Sequence, residues 1–278
     1  MYNILELGEV INVPLEGYGD FFSLPIYKIF KKEYLLRIFE TNKLYFSNIF
    51  QAWEDPYELF LLKHDFRVDG LSANKYYLNA AKQMYGQSWS LEKDSDALWR
   101  TYSQDKMSVR IKTTFGKMMK IIDQVRGIMW CAPGFGKVRY MDTQEINKWV
   151  NNIQKQGTGI YDMSFMESLF IKRSEFSHEK EVRFILWNSN EDTHTKLIHL
   201  NINPFDLIEE IAFDPRLNEE SYARQYKMLQ ETISGKIPIV KSDLYSFDRL
   251  SINLKRTPII LQSAYDKYNK HLRMFDNV

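Results

Sequence analysis

An α+β fold is what this 278-residue sequence predicts, and three observations predict it. Strand-like and helix-like stretches are interspersed along the chain. The regular glycine-rich strand–turn–helix units of a doubly wound parallel sheet are missing, and no internal repeat is evident. With 44% hydrophobic and 26% charged residues and a net charge of +1, the chain has the makeup of a folded protein with a core. No linker stands out, so a single α+β domain over 1–278 is expected.

The elements follow from periodicity. "IYKIF" reads as a strand, and Lys32 to Glu40 has helical spacing through Leu35, Leu36 and Phe39. Asn42 is suited to end that helix, because Asn tolerates a left-handed backbone. "KLYFS" alternates as a second strand, and "WEDPYE" reads as a turn around Pro56. Further on, a short strand is expected at Trp89, a short helix over Ala97 to Tyr102, and a strand over Met107 to Ile111. In that strand Val109 and Ile111 share one face and Ser108, Arg110 and Lys112 the other, so a single side need face the core. Helices are expected over 114–127, 143–155 and "DMSFMESLFIKRSEF", and "APGFGKVRYMD" reads as a glycine turn entering a strand. The tail adds "LIHLNI", "LIEEIAFDP", a helix over 219–233 with Asn218 as cap and Gly235 as stop, and "KIPIVKSDL".

Several function classes drop out. A single cysteine, Cys131, excludes an intramolecular disulfide framework, and five scattered histidines show no zinc spacing. No run of about 18 apolar residues occurs, and "MYNILELGEVINVPLEG" lacks the basic-then-apolar order of a secretion signal. The expected setting is the cytoplasm, with no membrane. Near-neutral charge gives no general nucleic-acid footprint, although 15% aromatic content suits cores and base-stacking clefts alike.

Four groups of residues can carry chemistry. Glu179, Glu181 and Arg183 recur at every second position of "FSHEKEVRFIL", where a carboxylate held by a paired guanidinium could face substrate. The same alternation equally describes a solvated face or a structural ion pair. Trp99 and Tyr102, three apart on a short helix, suit either ring stacking or core packing. Tyr27 and Lys28 open the first strand, where a lysine can meet a diphosphate as a point charge. Glu54, Asp55 and Glu58 surround Pro56, too few ordered oxygens for calcium, so Asp55 reads as a cap and no metal is expected. Cys131 reads as a small buried hydrophobe.

These segments together resemble a bacterial family known as domain of unknown function number 2971, over about residues 24–245. The resemblance is carried by Tyr27, Lys28 and "LYFSNIFQAWEDPYE", by "SWSLEKDSDALWRTYSQDKMSVRI" with Trp99 and Tyr102, and by "FSHEKEVRF" with Glu179, Glu181 and Arg183. Departures from its pattern stand at Glu54, Ser88, Thr101 and Met107.

A more distant resemblance is to the ADP-ribosyltransferase superfamily, through a polar residue on a first strand, a helix, a second strand ending in serine, and a late strand bearing glutamate. It implies an ADP-ribosyltransferase-like fold with a mixed or split β-sheet core and surrounding helices. It also implies NAD as co-substrate, with Lys28 in place of the usual arginine, Ser47 at the nicotinamide, and Glu181 at the nicotinamide ribose. The implied catalytic set is Glu181, Ser47 and Tyr102; the implied cofactor-binding set is Tyr27, Lys28, Trp99 and Arg183. RNA, single-stranded DNA or protein is the implied acceptor. Arg110, Lys112, Lys172 and Arg173 are the expected track for a phosphate backbone. A toxin or phage-defence role, with an antitoxin or defence-system partner, is implied by the same resemblance. The competing expectation is a non-catalytic module that binds a nucleotide or nucleic acid in the same cleft.

Overall fold

The computed structural model describes residues 21–53, 55, 57–59, 67–68, 70–72, 78–79, 81–124, 133–156, 163–188, 195–247, 251–253 and 263–269. Cys131, Glu54, Pro56 and the amino-terminal stretch lie outside them. The chain divides into two units, Met1–Tyr245 and Ser246–Val278. Within the second, residues 263–269 are helical.

The first unit contains, in chain order, β1 (Pro25–Lys31), α1 (Lys32–Thr41), β2 (Lys43–Asn48), α2 (Ile49–Ala52), β3 (Arg67–Val68), β4 (Leu71–Ser72), β5 (Met84–Ser90), α3 (Asp96–Tyr102), β6 (Ser108–Thr114) and α4 (Phe115–Asp123). It continues with β7 (Pro133–Lys137), β8 (Arg139–Met141), α5 (Thr143–Gln156), α6 (Met163–Ser168), β9 (Ile171–Arg173), a 3-10 turn (Ser174–Glu179), β10 (Glu181–Trp187), β11 (Leu197–Asn201), α7 (Pro204–Leu207), β12 (Glu210–Phe213), α8 (Glu219–Ile233) and β13 (Ile239–Lys241). The fold is α+β.

Local chemistry sets the boundaries, two of them where the spacing predicts and the third one residue before the expected Gly235. Asn42 ends α1 with φ at 54° and its N–H on the Ile38 carbonyl. The Asn218 side chain accepts the Ser221 N–H at 2.8 Å and caps α8. Ser234, at φ 52°, takes the left-handed stop position, with Gly235 after it at φ 68°.

The main sheet is mixed, in the order β11-β2-β5-β1-β6-β12-β13, with β10 on β5 and β7 on β10. Among the described residues, only β12 and β13 pair in parallel within it. The branch at β5 splits the sheet. β10 covers one edge of β5 from Glu181↔Ser90 to Trp187↔Met84. On the other edge β1 pairs only at Tyr27↔Ser90, and β2 only at Ser47↔Gly86 and Asn48↔Tyr85. Gln87, Ser88 and Trp89 lie where β1 and β2 part.

Three expectations are corrected. β6 is buried on both faces over Ser108 to Ile111, because Arg110 turns inward onto Asp94 and Glu210, each at 2.7 Å. "PGFG" is strand β7 rather than a turn, and Gly134 sits close against the end of the Met166 side chain, which would have to shift to admit a Cβ. The helix expected through "SLFIKRSEF" stops at Ser168. Ile171–Arg173 instead forms β9, which pairs in parallel with β8.

Candidate active site

Where β1 and β2 diverge, backbone groups of β5 lose strand partners, and side chains replace them. Lys28 Nζ donates to the Ser88 carbonyl at 2.6 Å, and the Gln87 amide donates to the Tyr45 carbonyl. A cleft opens there with two adjoining lobes of about 510 and about 210 Å³. Lys28, Trp53, Ser88, Trp89 and Tyr102 line both; Ser47 lines the larger, Tyr27 and Glu181 the smaller.

Lys28 is half-buried between the strands. Burial draws its pKa down from 10.5 to about 8, with the charge of Glu181 pulling it back. The folded state therefore holds this proton less tightly than the unfolded chain, so this residue makes stability rise as pH climbs from about 8 to 10.5. Lys28→Met is expected to remove that rise. Urea unfolding of both proteins at about pH 7.5 and about pH 10 checks it, and an identical pH response would place the ammonium in water.

The floor of the smaller lobe is an ion cluster assembled from four places in the chain. Glu181, 4% exposed, receives Arg183 Nε on Oε1 at 2.8 Å and Arg183 Nη2 on Oε2 at 3.0 Å. Lys172 Nζ reaches Glu179 at 2.7 Å, Glu181 at 3.3 Å and Glu58 at 3.5 Å. Arg183 also donates to Glu58 and, at 2.6 Å, to the Leu169 carbonyl, while its guanidinium lies 4.1 Å from the Trp53 ring centroid. The Tyr140 hydroxyl accepts the Glu181 N–H at 2.8 Å. Three carboxylates face two cations, an excess of one negative charge.

Electrostatics fix the protonation states. Burial alone would raise Glu181, but Arg183 above all, with Lys172 and the Ser88 hydroxyl, holds it at about 2. Burial would lower Lys172, yet Glu181, Glu58 and Glu179 raise it to about 12. Burial pushes Glu58 up against the pull of Arg183 and Lys172. The Tyr102 hydroxyl donates to Glu179 at 3.3 Å; burial and the charges of Glu179 and Glu181 drive its pKa well above the usual phenol value. Glu181 is thus a fixed anion rather than a proton donor.

The residues singled out from the sequence divide accordingly. Tyr27, Lys28, Ser47, Tyr102 and Glu181 share the cleft. Arg183 is fully buried behind Glu181 and lines neither lobe. Trp99 is also fully buried, its indole N–H on Asp94 at 3.1 Å, and its ring packs in the core. Glu179 reaches the cluster from the end of the 3-10 turn rather than from the strand, and Lys180, at φ 42°, separates it from β10.

Each cation of the expected phosphate track is paired with an acid: Arg110 as above, Lys112 with Glu209, Lys172 in the cluster, Arg173 with Asp55. Asp55 also caps its turn by accepting the Tyr57 N–H at 3.0 Å. Glu58 and Lys172, absent from the predicted site, are members of it. No group of three or more His, Cys, Asp or Glu among the described residues is placed to hold a metal ion.

The family comparison falls on this cluster. Residues 98–184 match the family described as Protein of unknown function (DUF2971). The matched segment contains Tyr102, Lys172, Glu179, Glu181 and Arg183, while Lys28, Ser47 and Glu58 precede it. No curated protein matches the chain. Among solved structures it is similar to DarT of Thermus sp. 2.9. In complex with NAD+ the identity is 13%, covering 83% of this chain and all of that one, with a TM-score of 0.37. The complex with carba-NAD+ gives 15%, 81% and 96%, and 0.35. The complex with ADP-ribosylated ssDNA gives 14%, 79% and 93%, and 0.34. At TM-scores this low the likeness assigns nothing to this chain.

Proposed function

We propose that this chain is an NAD-dependent ADP-ribosyltransferase. One observation supports the reading: a carboxylate, Glu181, is kept ionised and immobile at the floor of a cleft by two buried cations. When the bond between nicotinamide and ribose breaks, its electron pair leaves with the nicotinamide, and positive charge spreads over the sugar. An anion fixed beforehand is worth most where that charge appears. The acceptor then bonds to the anomeric carbon and gives up a proton.

In this reading Glu181 faces the nicotinamide ribose, Ser47 positions the amide, Tyr102 helps to orient the carboxylates through its bond to Glu179, and Tyr27 and Lys28 form the wall between the lobes. RNA, single-stranded DNA and protein are the acceptors to be compared. A toxin or phage-defence role, an antitoxin or defence-system partner and a cytoplasmic setting belong to the proposal through the sequence resemblance. No helix among the described residues is long and apolar enough to cross a membrane.

The test is incubation with NAD labelled in its adenylate half, followed by separation of RNA, single-stranded DNA and protein and measurement of free nicotinamide. Nicotinamide release with label in one fraction supports the reading. No release with any acceptor sinks it. A second reading, nucleotide binding without turnover, is favoured by the saturation of Glu181, whose oxygens already meet Arg183, Lys172 and Ser88. It requires NAD binding with no nicotinamide released.

A further inference from the structure

The cleft is divided by charge. Lys28, Lys31 and Arg37 line its larger lobe with no carboxylate among the described residues, whereas three carboxylates, Glu58, Glu179 and Glu181, line the smaller beside Lys28 and Lys172. The other cations considered above are matched to acids. Lys31 and Arg37 form no ion pair with a carboxylate among the described residues, and the Arg37 guanidinium instead lies 4.8 Å from the Tyr45 ring centroid. A cleft lined by charge of one sign attracts a ligand group of the other. A volume of about 510 Å³ is within the range of small-molecule sites.

Lys28 is poorly suited to be the anion holder. Its ammonium is engaged with the Ser88 carbonyl, and burial already disfavours its charge. Arg37 differs on both counts: it is exposed, and its planar fork matches phosphate oxygens two at a time. Stacking on Tyr45 limits the freedom that binding would cost. Tyr34, 58% exposed, and Tyr45 add aromatic surface for a base on the same wall.

We infer that Arg37, aided by Lys31, holds the diphosphate of a nucleotide in the larger lobe, which directs the ligand's cationic end toward Glu181. Lys28 is then a positioning residue that clasps β1 to β5. The inference rests on reading this cleft as the nucleotide site, but it requires no turnover.

ADP is the probe for the anionic lobe, since it carries base and diphosphate without the reacting bond; nicotinamide riboside probes the other end. Calorimetry on the full chain is expected to show Arg37→Gln weakening ADP roughly tenfold to a hundredfold, the worth of a charge-assisted hydrogen bond. Nicotinamide riboside binding should be unchanged, and Arg37→Lys should recover part of the loss. Thermal unfolding confirms that this exposed substitution leaves the fold intact. Equal ADP affinity in wild type and Arg37→Gln, or no ADP binding to wild type, overturns the inference. Arg37-dependent ADP binding without nicotinamide release supports it and overturns the transferase reading instead.

Discussion

Glu181→Gln is expected to lower nicotinamide release by about 10² to 10³-fold, the usual cost of removing one preorganised electrostatic partner of a transition state. The substitution keeps the side chain's size and removes its charge, so the buried cluster changes from three carboxylates and two cations to two of each. That balance is why the fold should survive. The cost in stability is on the order of 1–3 kcal/mol, because an amide N–H₂ now meets one of the N–H groups of Arg183 or Lys172. Release measured chromatographically, beside a urea midpoint, separates the two effects. Glu181→Asp is the control that keeps the charge and withdraws it by one methylene. Full activity in the folded Gln variant would remove Glu181 from the chemistry.

How much of this was legible in the sequence depends on how far apart the interacting residues lie. β1, α1, β2 and α8 follow from local spacing, and Asn42 and Asn218 act within four residues of their partners. The alternation of Glu181 and Arg183 also put both on one face. It could not say whether that face meets solvent, since β10 is buried on both sides: Val182 and Phe184 on one, Glu181 and Arg183 on the other.

Burial was decided by distant residues. Glu58 and Arg183 are 125 positions apart, and Lys172 reaches all three acids only because β9 is a strand where helical spacing was read. Arg110 and Lys112 carried the same alternating signal as Glu181 and Arg183, yet one is buried against Asp94 and Glu210 while the other is held by Glu209. Period two fixes which side chains travel together. What covers them comes from elsewhere in the chain.

Arg183→Met should be the most damaging single change to stability, about 3–5 kcal/mol, because it leaves Glu181 and Glu58 buried with only Lys172 to share. The two proteins should then respond to acid with opposite signs. In the wild type, Arg183 and Lys172 depress Glu181 from 4.5 to about 2; that contribution is complete above about pH 4.5 and is lost as pH falls toward 2. Without Arg183, burial dominates and lifts the carboxylate. A lifted group favours the folded state at low pH and costs stability as pH rises through its folded value. Acidification from neutral pH should therefore narrow the gap between Arg183→Met and wild type, as urea midpoints will report. Adding Glu58→Gln restores the excess of one negative charge found in the wild type and should recover part of the loss at neutral pH. Parallel pH curves, or no recovery in the double variant, would mean that Arg183 acts through packing against Trp53 and not through charge.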